Sequence, residues 1–135
     1  MSKSAIYTVN SATQSVAVNG NISLGSIIRR FGPNLNLNGN AITVAGAGYY
    51  DLDVSATVAP TAAGNVTITA LKDGVAIPGA IATGSTTTAG NPINLSISSL
   101  IREACPCCDS LSSITFVLTG SAASVTNMAV VVEKI

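Results

Sequence analysis

Residues 49–59 read Tyr-Tyr-Asp-Leu-Asp-Val-Ser-Ala-Thr-Val-Ala, and this stretch decides the fold class. Apolar side chains occupy every second position from Tyr50 to Val58, and mostly polar side chains fill the positions between them. Because the side chains of an extended chain point alternately to its two sides, this period is typical of a half-buried strand. We predict that Tyr50 points inward, since the opposite orientation would place two aspartates in the core.

The same alternation recurs elsewhere in the chain and is interrupted by turn signals. Residues 66–71, 93–98 and 114–119 alternate between apolar and polar side chains. The pairs 19–20 and 38–39 (Asn-Gly) and 73–74 (Asp-Gly) favour hairpin turns, because these residues accept a positive φ. No segment has a capped helical pattern; the best candidate, residues 100–105, is stopped by Pro106. The sequence therefore predicts an all-β fold, a sandwich or a barrel of antiparallel strands.

Composition excludes several classes of function. The 135 residues suit one domain, and six Lys and Arg balance six Asp and Glu, so the chain lacks the basic surface that nucleic acid requires. The chain has no histidine, which excludes histidine-based catalytic triads and metal sites. No apolar run approaches the length of a membrane span. The first residues lack the apolar core of a signal peptide, so we expect synthesis in the cytoplasm without a cleavable leader.

The C-terminal segment is apolar on both faces. Residues 128–132 read Met-Ala-Val-Val-Val, which predicts a strand whose second face is covered by another copy of the chain. The low charged fraction, 9% of the residues, agrees with a surface partly hidden in an oligomer. A neutral monomer rich in Ser and Thr is the alternative. The candidate interface residues are Met128, Val130, Val131, Val132 and Tyr50.

Three stretches resemble the jelly-roll family that contains tumour necrosis factor (TNF) and the globular heads of complement C1q. They are residues 42–52, in which an apolar entry and Gly-Tyr lead into an alternating strand; residues 66–79, with an Asp-Gly turn and a Pro-Gly return; and the closing residues 127–135. The likeness covers about two-thirds of the chain. Within the family, the chain is most similar to bacterial and phage members, such as the head of a spore-surface (exosporium) protein. It implies an antiparallel two-sheet jelly-roll sandwich, in one domain over residues 1–135, that forms a homotrimer. Residues 1–30 do not match the family's strands, so an N-terminal arm or attachment segment is an alternative for them.

The cysteines form the most unusual local cluster. Cys105, Cys107 and Cys108 lie within four positions, too few thiols for a four-cysteine zinc site in one chain. Adjacent cysteines seldom pair without strain, so a Cys105–Cys108 disulfide is the better pairing within the chain. A disulfide between subunits, reduced thiols, and a metal shared by several chains remain alternatives.

Asp51 and Asp53 share one face of the predicted strand, with Cα atoms about 7 Å apart. Such a pair could bind calcium with help from carbonyl groups, or serve glycoside hydrolysis. Nothing in the sequence supplies the rest of either site, so two solvent-facing carboxylates are the simpler interpretation. We predict no catalytic residues, no cofactor and no enzymatic activity.

These features together predict a structural role at a surface. We expect a trimeric jelly roll on a virion, as a phage head decoration, head fibre or tail tip. The alternatives are a carbohydrate- or receptor-binding head of an adhesin and a component of a bacterial or spore surface. The expected partners are further copies of the chain, other virion or surface-layer proteins, and host glycans, with neither nucleic acid nor a membrane among them.

Overall fold

The computed structural model describes residues 3–103 and 112–135. All regular elements in these residues are β-strands. They are β1 (Ala5–Asn10), β2 (Gln14–Val16), β3 (Ser26–Phe31), β4 (Leu35–Asn38), β5 (Ala41–Val44), β6 (Gly48–Pro60), β7 (Gly64–Lys72), β8 (Val75–Thr86), β9 (Ile93–Glu103), β10 (Ser112–Thr119) and β11 (Ala123–Lys134).

The strands form two antiparallel sheets. The first has the order β3-β1-β11-β6-β9, with β2 also paired to β11, and the second has the order β4-β5-β10-β7-β8. Apart from the pairs β4–β5 and β7–β8, neighbours in each sheet are not consecutive in the sequence, so the chain crosses repeatedly between the sheets. Strand β11 is central, flanked by β1 along one side and by β6 along the other.

The core lies between the two sheets and follows the predicted alternation. On β6 the side chains from Tyr50 to Val58 are buried at every second position. Strand β10 buries Ile114, Phe116 and Leu118 in the same way. Period-two patterning therefore identified the inward faces of the long strands correctly.

Two of the three predicted hairpins are present. Asn38–Gly39 joins β4 to β5, and Asp73–Gly74 joins β7 to β8; Gly39, Asp73 and Gly74 all have positive φ. The prediction at Asn19–Gly20 is wrong. The chain there leaves the first sheet after β2, and Asn21 forms a bridge to Val117 of the second sheet. The turn signal was real, but it serves a crossover between the sheets.

The N-terminal segment is part of the sandwich. Strand β1 pairs with both β3 and β11, and the core includes Ile6, Val16, Ile22 and Leu24. A segment that contributes a strand between two others cannot also be a free arm, so the alternative of an N-terminal arm does not apply to Ala5–Phe31.

Candidate self-association surface

The outward face of the first sheet consists of rows of side chains that run across all five strands. Register places directly opposite residues of neighbouring strands at the same height, with their side chains on the same face. The row nearest the C-terminus of β11 contains, from one edge to the other, Phe31, Ala5, Glu133, Asp51 and Leu100. This row begins and ends with an exposed apolar side chain and has two facing carboxylates in its middle.

The next row has an arginine at one edge. Its members, in the same order across the sheet, are Arg29, Tyr7, Val131, Asp53 and Ser98. Tyr7 and Val131 are half-buried, and Asp53 and Arg29 are exposed. The two apolar side chains therefore separate a cation at the β3 edge from an anion near the β9 edge.

The third row is made of small side chains over most of its length. Ala129, Ser55 and Ser96 follow one another from β11 to β9. Since these side chains are short, they leave a shallow groove of about 370 Å³ in the sheet surface. The groove is lined by Asp53, Val54, Ser55, Ser96, Ile97, Ser98, Ala129 and Val131.

The structure corrects most of the predicted interface. Met128, Val130 and Val132 point into the core of their own chain, as does Tyr50, and all four have no exposed surface. A side chain with no exposed surface in one chain has none to lose to a partner. Of the five candidates only Val131 faces outward.

Other exposed apolar residues were missed by the sequence reasoning. On the edge strand β3, Ile28 is 52% exposed and Phe31 is 59% exposed. At the opposite edge of the sheet Leu100 is 56% exposed. Every residue of β3 is exposed, and a bulge leaves Ile28 without a partner on β1. The signal available in the sequence was the run Ile-Ile-Arg-Arg-Phe at positions 27–31, which has no alternation and therefore no inner face.

Asp51 and Asp53 lie on the outward face, as the simpler interpretation predicted. Asp51 is opposite Glu133, and like charges in directly paired positions destabilise a sheet. Within residues 3–103 and 112–135 no three acidic or thiol groups are close enough together to hold a metal ion. Two carboxylates alone do not make a calcium site, so these residues contribute negative charge to the surface. Cys105, Cys107 and Cys108 fall outside the described residues.

A polar cluster closes the end of the sandwich below Tyr50. The Tyr50 hydroxyl lies 2.9 Å from the carbonyl oxygen of Gly46 and 3.2 Å from that of Ala45. Ser112 donates a hydrogen bond to the carboxylate of Glu103, and both residues are buried. Burial raises the pKa of the Tyr50 hydroxyl above its ordinary value, and the charge of Glu103 raises it further. The Tyr50 contacts hold β6 against the segment that precedes it, and the Ser112–Glu103 bond joins β10 to β9.

The described residues contain no helix with the length and hydropathy needed to cross a membrane. The sequence matches no family model, and no curated protein matches it.

Solved structures resemble the whole fold. Murine APRIL superimposes with a TM-score of 0.73 at 13% identity, covering 98% of this chain and 99% of its own. The globular domain of the zebrafish complement 1qA protein has a TM-score of 0.67 at 7% identity, with 97% and 94% covered. Vertex protein P5 of phage PRD1 has a TM-score of 0.64 at 19% identity, with 98% and 96% covered.

These likenesses define the fold class. The chain is an antiparallel two-sheet jelly roll of the type found in TNF-family proteins and in the globular domain of complement C1q. The prediction made from residues 42–52, 66–79 and 127–135 is confirmed for the fold.

Proposed function

We propose that the protein is a non-enzymatic structural component, in which residues 1–135 form one jelly-roll domain that assembles as a homotrimer on the surface of a phage virion. A head decoration, head fibre or tail tip fits this description. The fold likeness to the PRD1 vertex protein supports a place on a particle. The chain has no histidine, which supports a role without histidine-based catalysis.

The proposed homotrimer depends on one observation. A single chain leaves apolar side chains exposed at two opposite edges of one sheet, Phe31 on β3 and Leu100 on β9. Burying these side chains against another copy would remove their apolar surface from water. Patches at opposite edges of the sheet fit a head-to-tail contact, in which the β3 edge of one copy meets the β9 edge of the next. The smallest closed ring built from head-to-tail contacts has three members.

The loops at one end of the sandwich favour a scaffold over a lectin. The loop between β6 and β7 and the loop after β8 touch, since the Gly90 amide donates to the carbonyl of Pro60 at 2.7 Å. Their exposed residues are Thr, Ala, Gly, Asn and Pro, without aromatic or charged side chains. Glycan sites usually need aromatic faces or carboxylates. A carbohydrate- or receptor-binding head therefore ranks second, and reproducible binding to one sugar class on a glycan array would reverse the order.

Immunogold labelling of the source culture tests the location. An antibody against the purified protein is applied to lysate fractions separated by density. We expect gold on intact phage-like particles. Gold on spores or on cell envelopes would favour the spore-surface or bacterial-surface alternative. Protein found only in the particle-free fraction would overturn the proposal.

A further inference from the structure

We propose that the β3 edge of one copy seats in the groove of the next copy, with Phe31 against Leu100 and Arg29 against Asp53. This inference rests on the proposed homotrimer and names the contact that closes it. The β3 edge patch is defined here as Ile28, Arg29 and Phe31. The groove of one copy is occupied by the β3 edge patch of a second copy of this chain.

The heights of the residues match without any shift along the strands. Phe31 and Leu100 belong to the same row, and Arg29 and Asp53 belong to the next one. A rotation axis parallel to the strands moves each copy around a ring without translating it, so it brings residues of equal height together. Phe31 and Leu100 are separated by four strand spacings, about 19 Å, and Arg29 and Asp53 by three, about 14 Å, so neither pair can form within one chain.

In both rows the side chains that would face each other across the contact are chemically complementary. In the first row an exposed phenylalanine meets an exposed leucine, and burying both removes apolar surface from water. In the second row a guanidinium meets an exposed carboxylate. A shift of one row would set Arg29 against Leu100, so the two pairs together select one register.

The shapes agree as well. Ile28 is the extra residue of the bulge in β3, between Ile27 and Arg29, and it therefore lies at a height between the second and third rows. The groove lies at that height, because Ser55, Ser96 and Ala129 are too short to fill it. A branched side chain from a neighbouring copy would fill this space. The carboxylates of Asp51 and Asp53 beside the groove also favour a basic edge strand over an acidic one.

Charge reversal tests the contact. We compare wild-type protein with Arg29→Glu, Asp53→Arg and the double variant, and measure the dissociation constant by sedimentation equilibrium. Each single reversal places like charges together and should raise the dissociation constant at least about tenfold. The double variant should return to within about threefold of wild type, since the pair is restored with exchanged signs.

Controls separate folding from assembly. Thr115→Glu adds an acid to β10 in the other sheet and should leave the dissociation constant unchanged. Circular dichroism should give the same strand spectrum for all variants, because both exchanged residues are exposed. Phe31→Ser and Leu100→Ser provide a second pair that does not depend on charge, and each should weaken assembly.

The outcomes distinguish the two proposals. If the wild type is trimeric and all variants assemble as tightly as it does, the contact is wrong and the trimer stands. If each single variant weakens assembly and the double variant does not recover the wild-type dissociation constant, Arg29 and Asp53 do not face each other, and the pairing is overturned. If the wild type is a monomer at every concentration, the proposed assembly and this contact fall together.

Discussion

Strands β11 and β3 are both rich in apolar residues, yet they have opposite roles. Strand β11 is flanked on both sides, and its valines at 130 and 132 have no exposed surface. Strand β3 lies at the edge, and all six of its residues are exposed. An apolar segment is therefore not by itself a contact surface. Its position in the sheet decides whether its side chains stabilise the chain or remain available to a partner.

The same substitution in the two strands should give the largest contrast. Val130→Asp buries an unpaired carboxylate in the core and should cost about 4 kcal/mol or more of folding free energy. Ile28→Asp places the same group on an exposed edge and should change the free energy of unfolding by about 0.5 kcal/mol or less. Urea unfolding followed by circular dichroism measures both.

Self-association is the second property that we compare for these two variants. Ile28→Asp is expected to remain folded and to weaken self-association, because the carboxylate would enter an acidic groove. A folded Val130→Asp variant of wild-type stability would show that β11 does not face the core.

The chain's two phenylalanines sharpen the comparison. Phe116 has no exposed surface and Phe31 is 59% exposed. Phe116→Ala should leave a cavity that costs about 3–5 kcal/mol of folding free energy. Phe31→Ala should leave the free energy of unfolding of the dilute protein within about 0.5 kcal/mol of wild type and raise the dissociation constant. Equal losses of stability in the two variants would contradict the assignment of Phe31 to a contact surface.

These pairs also mark the limit of sequence reasoning. Period-two patterning predicted the all-β class and the inner faces of β6 and β10, because burial selects alternate residues along a strand, and the resemblance of three stretches to a known family predicted the jelly roll. The patterning did not predict the interface correctly. A run such as residues 128–132 has the same composition whether its second face is covered by side chains of a neighbouring strand or by another subunit. Strand order is set by crossovers between distant segments, and that order, which no local pattern encodes, brought Arg29 and Asp53 into one row.

The polar end of the core provides a pH-dependent test. Since burial and Glu103 raise the folded-state pKa of Tyr50, the neutral hydroxyl is favoured in the folded protein. The stability linked to this group is fully present below pH of about 10 and is lost as pH rises through the raised pKa. Thermal melts between pH 7 and 11 should show this loss for the wild type.

Tyr50→Phe separates the hydrogen bond from the titration. It should cost about 1 kcal/mol of folding free energy at pH 7 and make the alkaline loss less steep. Tyr49→Phe, at an exposed position on the same strand, is the control and should leave the stability at pH 7 unchanged. An alkaline loss that is as steep in Tyr50→Phe as in the wild type would assign it to another group.

The smallest expected effect concerns Thr8 on β1, the strand between β3 and β11. Thr8 of β1 is opposite Val130 of β11 on one side and Ile27 of β3 on the other. Its hydroxyl is buried and has no hydrogen-bond partner among the described residues. Thr8→Val should therefore stabilise the chain by about 1 kcal/mol. Thr57→Val, on the outward face of β6, is the control, and a destabilised Thr8→Val variant would mean that the hydroxyl has a partner.

The mass of the wild-type protein in solution tests the central claim, that the apolar edges of one chain are covered by other copies of it. Light scattering across a range of micromolar concentrations is the direct measurement. We expect three chains of 13.4 kDa, a species of about 40 kDa. A single species of 13.4 kDa at every concentration would contradict it.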